Sequence, residues 1–287
     1  MVEQSGKAVE NRPEEAGISY EDKKQKLCGI MDAWAAGDVA VAFSGGVDSS
    51  LLLKLAAEYG RQHGTRVYAL TASTRLHPAC DLLVAKAVAA ETGAVHVVLE
   101  LDELSEADID RNPVDRCYRC KKYIFRSMLE AVKVYGIGTV LEGTNLDDTR
   151  VYRPGIRALR ELGMESPLMK AGFTKADVRR MAAEQGISVA ARPSTPCLAT
   201  RFPYGTELTA GKLETVEQGE AFLRSLGLGN VRLRVHGDVA RVEVDGADMA
   251  GLVERRDQVV TCLKKLGYSY VTLDLEGFRS GSMDQGI

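Results

Sequence analysis

The sequence predicts an α/β fold: a doubly wound parallel sheet followed by a small C-terminal α+β module. Three observations carry this. As far as residue 185, short apolar runs alternate with longer amphipathic runs, the pattern of parallel strands wrapped by helices. Several amphipathic runs end at a glycine, which suits a helix C-cap. Near Arg201-Phe202-Pro203-Tyr204-Gly205 the pattern changes to a helix, alternating strands, a second helix and a last strand.

Taken in order, residues 20–35 read as an opening helix. Strands are expected at 39–43, 67–72, 95–101 and 139–142, each too short for a helix and rich in apolar residues. Helices are expected at 48–59, 79–92, 120–135 and 175–185. Residues 102–116 show no clear period and read as a mobile-looking segment. Beyond the change of pattern, helices are expected at 212–226 and 249–266 and a final strand at 268–275, a helix-strand-strand-helix-strand order of ferredoxin-like type. The corresponding division is a disordered lead-in at 1–19, a large domain at 20–203 and a small one at 204–287.

Composition narrows the function classes. The 287 residues are 45% apolar and 27% charged, enough for a full core, and the formal net charge of −3 gives no global pull toward nucleic acid. The polar, acidic start has no secretory pattern and the apolar runs are too short to span a bilayer, so the expectation is a soluble cytoplasmic protein. Six cysteines in such a setting favour metal binding or catalysis over a disulfide framework.

The run Val39-Ala40-Val41-Ala42-Phe43 leads into Ser44-Gly45-Gly46-Val47-Asp48-Ser49-Ser50 and then a leucine-rich helix. Gly45 and Gly46 let backbone approach a ligand, the helix start offers N–H groups to an anion, and Ser44, Ser49 and Ser50 add hydroxyls. No lysine follows the glycines, which excludes a Walker loop. The six residues from Ser44 to Ser49 match the SGGxDS signature of PP-loop enzymes. That resemblance implies ATP cleaved between its α- and β-phosphates to AMP and pyrophosphate, with Mg²⁺ at Asp48. Gly143 and Thr144, just past the fourth expected strand, are assigned to the same nucleotide site.

Cys117 and Cys120 form a C-x-x-C flanked by Arg116, Arg119, Lys121 and Lys122, and Cys197 lies far downstream. Such spacing puts two thiols on one side of a turn, where they share a metal or cluster, and the basic neighbours favour thiolates. Spacing alone leaves open a redox dithiol, a structural zinc with a fourth ligand, or unconnected thiols. Cys28, Cys80 and Cys262 fall in helical patterns and read as small buried apolar residues. In Val231-Arg232-Leu233-Arg234-Val235-His236 the period of two puts Arg232, Arg234 and His236 on one strand face, suited to phosphate or carboxylate or else simply solvated.

The loop, Tyr152-Arg153-Pro154-Gly155, the stretch from Cys197 to Gly205 and the tail at 270–281 together resemble the LarE sulfur transferases, over roughly residues 23–283. Members of that family thiolate a pyridinium dicarboxylate mononucleotide in the synthesis of the nickel-pincer nucleotide. In single-cysteine members a residue matching Cys197 gives up its own sulfur. With Cys117 and Cys120 present, this chain resembles the three-cysteine branch, which implies a 4Fe-4S cluster on Cys117, Cys120 and Cys197. The resemblance further implies Lys121 and Arg201 near the reacting centre, Arg232 and Arg234 on the substrate phosphate with Glu220 and Glu243 as polar or metal partners, and a homo-oligomer. The sulfur donor is not specified. Rival readings are a PP-loop tRNA thiolase, an ammonia-using amidotransferase domain and a non-catalytic nucleotide or iron sensor. The first needs an RNA-binding surface that the charge does not supply.

Overall fold

Ser19 starts the first helix, its hydroxyl accepting from the Asp22 N–H and so satisfying one of the donors that a helix start leaves over. The computed structural model describes residues 18–150, 153–193 and 195–279. Most of the expected lead-in (1–17), Tyr152, Ser194 and residues 280–287 lie outside these.

After α1 (Tyr20–Ala35) come β1 (Val39–Ala42), α2 (Val47–His63), β2 (Val67–Ser73), α3 (Ala79–Thr92) and β3 (Val95–Glu100). The strands are parallel in the order β1-β2-β3. The apolar residues of β1 and β2 are buried on both faces, one side joining Leu51, Leu52 and Leu55 of α2 and Val88 and Ala89 of α3 in the core, whereas β3 is only partly buried. On the open side of β1, the segment expected as a fourth strand makes only isolated parallel bridges, Val41 to Leu141 and Leu141 to Glu165. The Ala42 N–H donates to the Leu141 carbonyl at 2.8 Å, and the Glu142 N–H to that of Glu165 at 2.8 Å. Gly138 and Gly143 bracket this short run and stop it lengthening. The sheet therefore runs β3-β2-β1-Leu141-Glu165, and its order reverses beside β1.

The segment from 102 to 116 is built rather than loose. It contains α4 (Glu103–Glu106) and two left-handed residues, Asp108 (φ 52°) and Asn112 (φ 48°). The buried Asn112 amide donates to the carbonyls of Phe202 (3.1 Å) and Pro203 (2.9 Å), which offsets a backbone conformation that side chains disfavour. Next, α5 (Arg116–Val132) begins at Arg116 rather than at residue 120 and so takes both cysteines of the C-x-x-C into its first turns. Then come α6 (Gly155–Glu161), α7 (Pro167–Ala171) and α8 (Lys175–Glu184), the last begun by a Thr174/Asp177 capping box.

The C-terminal part is α9 (Ala210–Ser225), β4 (Val231–His236), β5 (Val239–Val244), α10 (Met249–Glu254), α11 (Arg256–Lys265) and β6 (Tyr270–Leu273). The helix expected at 249–266 is thus two, interrupted at Arg255. β4 and β5 are antiparallel, β5 and β6 parallel. Among the described residues the sheet has three strands, not the four of a ferredoxin-like module. One face, with Leu233, Ala240 and Val242, packs on Leu213, Val216 and Leu263, and the same core takes in Leu76, Leu104, Ile109, Leu198 and Phe202 from earlier in the chain. No helix among the described residues is long and apolar enough to cross a membrane.

Candidate active site

The phosphate loop joins β1 to α2. Gly45 has φ 71°, and a Cβ there would lie 3.0 Å from the Ala85 backbone nitrogen, so both conformation and space demand glycine. Gly46 is the N-cap of α2 and no side chain caps the helix, which leaves its first-turn N–H groups to an anion. The Ser49 hydroxyl shapes the turn, donating to the Gly46 carbonyl at 3.1 Å and accepting from the Ser44 N–H at 3.3 Å. Ser44 is exposed at the mouth, whereas Ser50 is fully buried with a hydroxyl that has no hydrogen-bond partner.

Facing this loop is the chain that leaves the short fourth sheet segment. Gly143 comes so close that a Cβ on it would lie 3.1 Å from both the Asp48 Cβ and the Ser49 nitrogen. Thr144 spends its N–H (2.9 Å) and hydroxyl (2.7 Å) on Glu142, so its side chain fixes this loop rather than reaching out. Glu142 also accepts from the Ser166 hydroxyl. Asp48 accepts from the Asn145 amide at 3.1 Å and pairs with Lys175, two residues that sequence reasoning missed. The capping pattern around Thr174 marks a helix start, but only the fold brings that start against the loop. Asp48 thus offers one carboxylate at the phosphate loop, which fits Mg²⁺, an ion usually held by one or two carboxylates together with substrate phosphates.

Cys120 and Cys197, far apart in the sequence, pack against the same apolar cluster. Cys117 is exposed, Cys120 and Cys197 are half-buried, and all are free thiols. Burial pushes the Cys120 thiol well above its ordinary range, and the charges of Cys197, Glu103 and Cys117 push it the same way against Lys121. Burial pushes Cys197 up to about 11, with Cys117 adding and the Ala199 N–H, Arg116 and Arg201 opposing. Among the described residues, no three of His, Cys, Asp or Glu are gathered as a site for one metal ion. Cys80, expected buried, is exposed in the first turn of α3.

Lys121 stands between the two halves. Its side chain lies against Gly155, where a Cβ would overlap it. Its charge lowers both the Cys120 thiol and the Glu142 carboxyl, the latter otherwise raised by burial.

Arg201 sits beside Cys197 but has no exposed surface. It binds Glu220 through Nε (2.7 Å) and Nη2 (3.0 Å), and its Nη1 reaches the carbonyls of Pro196 (3.1 Å) and Cys197 (3.2 Å). It fixes the cysteine loop from behind, close to Cys197 but with its donors spent on Glu220 and backbone carbonyls. Glu220 is likewise spent: besides Arg201 it accepts from the Leu233 N–H (3.0 Å) and from Arg224 (2.6 Å). Arg234, buried, donates to Glu243 (3.0 Å) and to the Thr200 carbonyl (2.6 Å), which turns the cationic face of β4 toward the cysteine loop. Arg232 lies over the Phe278 ring at 4.9 Å, and burial followed by the charge of Arg201 lowers its pKa to about 10, with Arg234 and Arg224 acting the same way. Such crowding of cations suits an incoming anion. His236, on the same face, is exposed.

A sheet that reverses beside β1, with a glycine loop feeding a helix start at that switch point, places a nucleotide outside the carboxyl ends of the strands. Together with the serine and aspartate of the loop, this defines an ATP-using enzyme of the PP-loop class. The asparagine synthase family model matches residues 33–128. Across 87% of its length and 90% of the relative's, the chain is 40% identical to pyridinium-3,5-bisthiocarboxylic acid mononucleotide synthase of Lactiplantibacillus plantarum. It is 36% identical to an uncharacterized protein of Synechocystis, covering 85% of this chain and 91% of that one. With the tRNA-specific 2-thiouridylase MnmA of Rickettsia prowazekii it shares 26% identity over 63% of its length and 61% of MnmA's. The chain belongs to the LarE family, that of the mononucleotide synthase.

Proposed function

We propose that this protein activates a carboxylate of pyridinium-3,5-dicarboxylate mononucleotide with ATP and converts it to a thiocarboxylate, in nickel-pincer nucleotide synthesis. The observation that carries the reading is the phosphate loop, in which Gly45 at φ 71° feeds the uncapped start of α2, in a chain 40% identical to the mononucleotide synthase.

A carboxylate is a poor acceptor because oxide is a poor leaving group, whereas an acyl adenylate loses AMP readily to a sulfur nucleophile. The substrate carboxylate attacks the α-phosphate, the bond to the β-phosphate breaks, and pyrophosphate leaves. The loop N–H groups and Ser44 bind the phosphates, and Asp48, paired with Lys175, would hold Mg²⁺, which would offset charge on the phosphates. A sulfur nucleophile then forms the C–S bond as AMP departs. Arg232 and Arg234 bind the substrate phosphate, and Arg201 with Glu220 keeps Cys197 in register with their strand.

Cys117, Cys120 and Cys197 would hold the 4Fe-4S cluster. A cluster takes each cysteine on a different iron, and Cys120 and Cys197, packed on one apolar cluster with Cys117 one turn away on α5, suit such a group. Bound there, the cluster would supply an iron with a coordination place for added sulfide. The same reading divides the chain at 203/204, the second part carrying the substrate phosphate and oligomer contacts, and has a homo-oligomer at work in the cytoplasm.

Anaerobically reconstituted protein is expected to contain iron and acid-labile sulfide and to release AMP only when the mononucleotide is present. Full activity after Cys117→Ala and Cys120→Ala together would contradict the cluster. AMP release on tRNA in place of the mononucleotide would favour the thiouridylase-like reading.

A further inference from the structure

The polar face of the small sheet carries three arginines whose partners differ. β4 and β5 pair Arg232 with Glu243 and Arg234 with Arg241, so alternation puts all four side chains on one face. Arg234 and Arg241 both donate to Glu243 (3.0 and 3.1 Å), and Arg241 also faces Asp274 at 3.6 Å. Arg232 has a single hydrogen bond among the described residues, from Nη1 to the neighbouring Val231 carbonyl (2.8 Å), and no carboxylate partner. Glu220, a carboxylate whose charge acts on it, is spent on Arg201 and Arg224. A half-buried guanidinium without a counter-charge calls for an anion.

What holds Arg232 instead is the segment after β6. The Asp274 N–H donates to the Val242 carbonyl (2.9 Å), the chain turns at Gly277 (φ 73°), and the Phe278 N–H donates to the Val244 carbonyl (2.8 Å). This strap along β5 carries the Phe278 ring to Arg232, whose guanidinium carbon lies 4.9 Å from the ring centre. A ring against one face of a planar guanidinium leaves the N–H groups at its edge available, so the fork is held without being spent.

We infer that Phe278 is a positioning residue for the substrate phosphate, presetting Arg232 to grip it, whereas Arg234 and Arg241 are committed to the protein's own carboxylates. A preset side chain loses less freedom on binding, which raises affinity without a new contact to the ligand. The inference rests on the reading that Arg232 binds the substrate phosphate. It adds the device that readies this arginine, and makes the strap after β6 a determinant of choice between a mononucleotide and its nucleoside.

The test is calorimetric titration of the whole protein with pyridinium-3,5-dicarboxylate mononucleotide and with the nucleoside that lacks its phosphate, ATP binding serving as the check on the fold. Wild type is expected to prefer the mononucleotide, and Arg232→Gln to lose that preference. Phe278→Leu keeps apolar volume without the ring and is expected to weaken mononucleotide binding about fivefold, the scale of one cation–π contact, with nucleoside binding unchanged. Phe278→Tyr keeps the ring and is expected to match wild type. In the Arg232→Gln background Phe278→Leu should add nothing, because the ring acts through that arginine. Mononucleotide affinity within about twofold of wild type in Phe278→Leu overturns the inference, the contact then having no worth. An equal loss for the nucleoside, or in the Arg232→Gln background, also overturns it by marking the ring as merely structural; each of these results leaves the proposed function standing. Wild type that binds both compounds equally, or Arg232→Gln that keeps the preference, overturns the phosphate's assignment to Arg232 and with it that part of the proposed function.

Discussion

The nucleotide side and the sulfur side of this active site are built in opposite ways. The first is largely one contiguous stretch, Ser44 to Ser49, held by Gly45 at φ 71° and by the Ser49 hydroxyl, with Gly143 closing in from the neighbouring sheet segment. The second is assembled from the start of α5, the loop at Cys197, Glu220 in α9 and the arginines of β4. A phosphate binder needs only a tight turn and a helix start, which adjacent residues supply. A sulfur site needs thiols converging from several directions, which only tertiary structure supplies.

The comparison predicts that the two sides can be damaged separately. Cys197→Ala is expected to lower thiocarboxylate formation at least ~10³-fold, as removal of a central reactive group does, with ATP affinity unchanged by equilibrium binding. Loss of ATP binding in that variant would break the separation.

Glu220→Ala leaves the Arg201 guanidinium buried without its counter-charge and should cost about 3–5 kcal/mol by urea unfolding. Burial pushes the Glu220 carboxyl up, but the hydrogen bonds and charge of Arg201 outweigh it and hold it below the ordinary 4.5. A depressed folded pKa gives stability that is fully present above the unfolded value and is lost as the pH falls below 4.5 toward the folded one. Wild type and Glu220→Ala should accordingly differ most near neutrality and converge in acid.

Asp48→Asn is expected to slow AMP formation by about 10²–10³-fold, the usual effect of removing one electrostatic contributor to a charged transition state, and to weaken the Mg²⁺ dependence. Gly143→Ala should have the smallest effect. Its Cβ, 3.1 Å from Asp48 and Ser49, forces a shift of a few tenths of an ångström and about a tenfold loss of ATP affinity, the scale of one lost hydrogen bond, while the thiols titrate as before.

What the sequence reveals follows the same division. Strands β1 to β3, the helix at 79–92 and the phosphate loop are legible because period and turn chemistry are local. The fourth strand is not, since two glycines reduce it to bridges, and neither is the break at Arg255 in the last helix pair. Lys175 and Asn145 meet Asp48 only through the packing of α8 and the sheet edge, and Leu104 and Ile109 join Leu198 only because residues 102–116 are folded against the C-terminal core. Arg201 is recognisable by its neighbours in the sequence, but its complete burial and its grip on the Cys197 carbonyl are tertiary facts.

The central claim is that ATP activates the substrate carboxylate itself before sulfur arrives. Mononucleotide carrying heavy oxygen in its carboxylates, turned over with ATP and sulfide, tests this by mass spectrometry of the AMP. One heavy oxygen in the AMP phosphate for each thiocarboxylate formed is the predicted result, and thiocarboxylate formed with unlabelled AMP would contradict it.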